Sequence, residues 1–99
     1  MRKIIIVYEY DYDDCDIVLV PNFVAKNVDS YSNSFLRWLE RSDLPSHYYA
    51  ILPSGEKCIS CETEGFVEWL NNYVCPKDEQ AVIVNQHIKF DERYPMVDF

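Results

Sequence analysis

Residues 3 to 21 read KIIIVYEYDYDDCDIVLVP, two apolar runs separated by an acidic, tyrosine-rich stretch. Lys3 to Tyr10 is β-branched and aromatic, the composition of a strand. Ile17 to Val20 has the same character and stops at Pro21, which cannot donate to a ladder. The connection is short and polar, so the two strands are expected to pair as an antiparallel hairpin.

Beyond Pro21 the period of the apolar residues changes. Val24, Val28, Tyr31, Phe35 and Trp38 recur at spacings of three and four, which predicts an amphipathic helix from Phe23 towards Ser42. Asn22 is the candidate N-cap, and Arg37 and Arg41 suit the negative end of the helix dipole. HYYAIL (47 to 52) and EKCISC (56 to 61) read as two more strands, joined by a tight turn at Pro53-Ser54-Gly55. Thr63 and Glu64 open a second helix whose stripe is Phe66, Trp69, Leu70 and Tyr73, ended by Pro76. AVIVNQHI (81 to 88) is a fifth strand, and the tail DERYPMVDF either adds a short edge segment or drapes over the body.

The order is therefore ββα-ββα-β. SFLRWLE (34 to 40) and GFVEWLN (65 to 71) share Phe, Trp and Leu at an offset of 31. Duplication of a ββα unit and two helices packing on one sheet both produce that match. The expected fold is α+β, a two-layer sandwich. Two amphipathic helices cover one face of a five-stranded, mostly antiparallel sheet, with Trp38 and Trp69 as core anchors. The pattern leaves open whether the second sheet face is solvated or joins two copies as a dimer.

The 99 residues suit one domain spanning 1–99, and 48% hydrophobic content is enough for a buried core. Net charge is −8 at pH 7. Such a chain repels bare nucleic acid and anionic membranes, and its natural complement is a basic protein. The start, MRKIIIVYEY, is too short in its apolar part for a signal peptide, and no later stretch reaches the length of a membrane span. A cytoplasmic location with reduced thiols is expected. Two glycines leave no phosphate-cradling loop.

Continued as a strand, residues 8 to 13 place Tyr8, Tyr10 and Tyr12 on one face, with Glu9, Asp11 and Asp13 on the other. Same-face neighbours are then about 6.6 Å apart. A calcium loop drawn from Asp11, Asp13 and Asp16 fails, because Asp16 and Asn22 stand where an EF-hand needs Gly and Glu. A nuclease-type magnesium site lacks a nearby lysine, since no base occurs from Ile4 to Ala25. A solvated polar hairpin and a recognition surface remain. Tyrosine beside carboxylate suits an interface, the ring supplying buried area and the acid pairing with Arg or Lys. Glu62, Glu64 and Glu68 form a second base-free acidic run, and the C-terminal DERYPMVDF adds Asp91, Glu92 and Asp98.

Cys58, Cys61, Cys75 and His87 contain the donors for a four-ligand zinc site. In a strand, however, positions 58 and 61 point to opposite faces and no glycine forms a knuckle. A redox C-x-x-C would open a helix, which this one does not. Neither His47 nor His87 completes a recognisable nucleophile pair, and no Ser-His-Asp grouping is visible. No enzyme activity, metal or cofactor is expected.

In size, acidity and abundance of Tyr and Asp along its whole length, the chain resembles small phage- and mobile-element-encoded inhibitors. Anti-CRISPR proteins that occupy the nucleic-acid channel of a Cas effector are the prominent example. Bacterial immunity proteins, which neutralise a toxin by binding it, are similar. The resemblance implies an inhibitor of a basic nucleic-acid-handling nuclease or Cas effector. Glu9, Tyr10, Asp11, Tyr12, Asp13, Asp14 and Asp16 are the expected contact surface.

Overall fold

The computed structural model describes residues 1–8, 10–41, 49–55, 57–59 and 63–99. Glu9, His47, Cys61 and Glu62 lie outside the described residues, as does the side chain of Cys58. The chain runs β1 (Arg2–Val7), β2 (Cys15–Val20), α1 (Asn22–Ala25), α2 (Val28–Leu39), β3 (Tyr49–Ile51), β4 (Lys57–Ile59), α3 (Thr63–Tyr73), β5 (Val82–Ile88) and β6 (Met96–Asp98). It is an α+β fold.

The expected β1–β2 hairpin forms in antiparallel register, with Ile4 opposite Val18 and Ile5 opposite Ile17. Ile4, Ile5, Ile6 and Val7 are all fully buried. An unbroken apolar run belongs to a strand covered on both faces, and β1 is such an inner strand. The sheet order is β5-β2-β1-β6.

That arrangement corrects the expected single five-stranded sheet. Among the described residues β3 and β4 pair only with each other, in a separate two-stranded sheet. Gly55 serves their turn at φ 89°, a conformation that glycine reaches without steric cost. The fourth strand of the main sheet is β6, from the tail, which joins β1 in parallel with Ile5 opposite Met96. The tail also drapes. Phe90, Tyr94 and Met96 pack against Ile5, Val7, Cys15 and Ile17 and cover the second face at that end.

The helices cover the first face, where Ile4, Ile6, Val18 and Val20 meet Phe35, Leu39, Phe66, Trp69 and Leu70. Both F-x-x-W-L copies point into this cluster. Phe35 lies 5.3 Å from Phe66 and 5.6 Å from Trp69, ring centre to ring centre. Full burial of each Phe contributes about 1.5–3 kcal/mol. Trp69 is buried, whereas Trp38 is only half-buried against the cluster.

Three local expectations fail. The long first helix is two helices, because the chain breaks at Lys26 and Asn27, and the Asn27 amide side chain donates to Phe23 O at 2.9 Å. Pro21, not Asn22, occupies the N-cap position of the first. Tyr73 is 64% exposed and does not join the core stripe, which ends at Leu70.

Candidate acidic site

β1 ends at Val7, so the described residues among 8 to 13 do not continue it as a strand with alternating faces. The chain instead turns back on itself, with Asp11 N–H donating to Tyr8 O at 2.8 Å and Tyr12 N–H to Tyr10 O at 3.1 Å. Asp11 Oδ1 accepts from Asp13 N–H at 3.2 Å, an Asx turn. Tyr10 has φ 60° and is 76% exposed. A tyrosine in the left-handed region is uncommon. Tyr12 leans edge-on against Phe90 with centroids 5.2 Å apart, and its carbonyl accepts from Phe90 N–H at 2.7 Å. Without glycine, this loop is shaped by backbone turns, by the Asp11 carboxylate and by its anchor on the tail.

Beside the loop lies an open cleft of about 450 Å³, lined by Tyr8, Asp14, Asp16, Thr63, Glu64, Gln86 and His87. Three elements build it: the β1–β2 connection, the first turn of α3 and the far end of β5. Thr63, fully buried, donates its hydroxyl to Asp16 and accepts from Tyr8 OH at 3.1 Å. Gln86 donates to Glu64 Oε1 at 2.9 Å. The β2–β5 register shifts between Cys15 and Ile17, a bulge on the β5 side. Within that bulge His87 adopts φ 58°; its amide donates to Asp16 Oδ1 at 3.3 Å and its Nδ1 lies 2.7 Å from Asp14 Oδ1. The hydrogen bond to Asp14, with the charges of Asp14, Asp16 and Glu64, raises the imidazole above its ordinary 6.5.

The convergence is therefore partial. Asp14 and Asp16 line the cleft with Glu64, while Asp11 and Asp13 stand exposed on the adjoining loop. All four aspartates act on the Cys15 thiol, whose pKa is raised first by burial and then by their charges. Asp91 is engaged elsewhere, where Arg93 Nη2 donates to it at 2.6 Å. Thr63, Glu64, Gln86 and His87 carry no local motif that marks them as one site. They meet through the β2–β5 pairing and the Thr63–Asp16 hydrogen bond.

Among the described residues no group of three or more His, Cys, Asp or Glu side chains is disposed to hold a metal ion. Cys75 is buried in the helix-side core, whereas the His87 ring is 77% exposed and bonded to Asp14, so the two are not a shared ligand set. Among the described residues no helix is long and apolar enough to cross a membrane. No family model matches the chain, and no curated protein or solved structure matches it.

Proposed function

We propose that this chain is a non-enzymatic inhibitor of the anti-CRISPR type. In this reading it acts in the cytoplasm, binding a basic nucleic-acid-handling protein, a Cas effector being the concrete case, and competing with its nucleic acid. The observation that carries the reading is the cleft and its adjoining loop. Asp14, Asp16 and Glu64 line one depression, Asp11 and Asp13 flank it, and no lysine or arginine is among the lining residues. A net charge of −8 adds a long-range field of the same sign. Tyr10 projects from the loop as an aromatic anchor of the kind that dominates binding energy at interfaces.

Such a surface steers a cationic partner at low salt and loses that pull when the Debye length contracts from about 10 Å at 0.1 M to about 3 Å at 1 M. The test is capture of purified Cas effectors and toxin nucleases on the immobilised chain, washed at both salt concentrations and followed by competition with their nucleic acid. Retention that weakens with salt and is displaced by guide or target nucleic acid supports the reading. The triple variant Asp11→Asn, Asp13→Asn, Asp14→Asn should fold and lose retention. Undiminished binding by that variant removes the loop as the contact surface.

A further inference from the structure

The cleft contains one group that changes charge near neutral pH, and it sits at the most unusual backbone position of the sheet. His87 is a β-strand residue in left-handed conformation, inside a bulge, bonded through its amide to Asp16 and through its ring to Asp14. A non-glycine residue held there is strained, and it persists only where surrounding contacts impose it. The two aspartates are those contacts. They belong to the far side of the acidic loop, so His87 ties the end of that loop to β5.

We propose that the Asp14–His87 pair is a proton-operated clasp, which holds the end of the acidic loop against β5 while the ring is charged and releases it when the ring is neutral. The inference concerns the loop itself and does not depend on the identity of a partner. The groups facing the ring are Asp14 and Asp16 from the hairpin, Glu64 from α3 and the phenol of Tyr8. All are acidic, so every charged neighbour favours the imidazolium. On deprotonation the proton leaves to solvent. The ring–Asp14 contact then loses its charge assistance, and the ordinary hydrogen bond left, about half as strong, yields to water at this exposed position. The amide bond to Asp16 and the Tyr12–Phe90 contact remain, which confines the release to the segment around Asp13 and Asp14.

The sign follows from linkage. A ring whose pKa is raised in the folded state supports the clasped arrangement fully below 6.5, and that support is lost as pH rises through the raised value. The opening equilibrium of the segment shifts by about tenfold for each pH unit by which the ring midpoint is raised.

The experiment is an NMR titration of the full chain from acid to mildly alkaline pH, following the His87 ring and the amides of residues 11–16. Amide exchange is corrected for its intrinsic base catalysis. The proposal expects a ring midpoint above 6.5, the Asp14 amide titrating with the same midpoint, and faster corrected exchange above it. In Asp14→Asn the ring midpoint falls towards 6.5 and the step at residue 14 disappears. His87→Asn keeps a residue that tolerates the left-handed region while removing the charge, and should hold the released state at every pH. Loop amides that ignore the ring's titration overturn the clasp. So does a His87→Asn chain that keeps the wild-type step.

Discussion

Thr63, the first residue of α3, donates its hydroxyl to the Asp16 carboxylate of β2, across 47 residues of sequence. The same oxygen accepts from Tyr8, so one buried hydroxyl joins the end of β1, the start of β2 and a helix N-terminus. A helix that begins on this contact brings Glu64 to the cleft. The fold and the acidic site are built from the same hydrogen bonds.

Replacing Thr63 with Val leaves Asp16 and Tyr8 facing an apolar methyl. The loss should be about 0.5–1.5 kcal/mol, the net contribution of a typical hydrogen bond, since both groups line the open cleft. Thr63→Ser keeps the hydroxyl and should recover most of it. Urea denaturation of the two variants checks this, and equal midpoints would refute it.

Phe99 closes the helix-side core from the tail. Its ring stacks 5.6 Å from Tyr8 and meets Phe66 edge-on at 5.4 Å, while its amide donates to Val7 O at 2.9 Å. Phe99→Ala should cost about 3 kcal/mol, at the lower end of large-to-small core changes because the ring is half-buried. For a domain of this size that lowers Tm by roughly 12–24 °C, from 4–8 °C per kcal/mol. A calorimetric scan measures it.

Arg93 donates to both oxygens of Asp91, holding that carboxyl down to about 2 from an ordinary 3.8. A depressed carboxyl contributes stability that is present above 3.8 and lost as pH falls through about 2. Carbon-detected NMR should find Asp91 titrating near that value, and Arg93→Gln should return it towards the ordinary range. Arg93 is exposed and the pair lies at the surface, so the effect on global stability at pH 7 should be close to nil.

Cys15 and Cys75 are free and buried. Burial raises both thiols, and nearby carboxylates raise them further: the four loop aspartates act on Cys15 and Glu79 on Cys75. Since the thiolate is the reactive form, neither should be alkylated by iodoacetamide at pH 8 in the native chain, and both should react in denaturant. Mass mapping of the labelled sites distinguishes them from the other two cysteines.

Local sequence determined the parts of this protein. Ile17 to Val20, the β-branched Val82-Ile83-Val84 and the Gly55 turn announce strands and a hairpin by composition. Phe35, Phe66, Trp69 and Leu70 announce helix faces by spacing. The unbroken IIIV of β1 also carried a signal of burial on both faces, which reading it as one half of a hairpin overlooks. What tertiary structure decided was adjacency. Whether residues 82–88 lie beside β2, whether 96–98 lie beside β1 in parallel, and whether β3–β4 joins the main sheet all depend on which surfaces remain uncovered once the helices dock. No local period encodes that outcome. The cleft inherits the same dependence: residues 8 to 16 supplied the carboxylates, but Glu64 and His87 reach them through the β2–β5 pairing and the Thr63–Asp16 contact. The loop's shape came late for a related reason, since its turns rest on the Asp11 side chain and on Phe90, 78 residues beyond the Tyr12 it packs against.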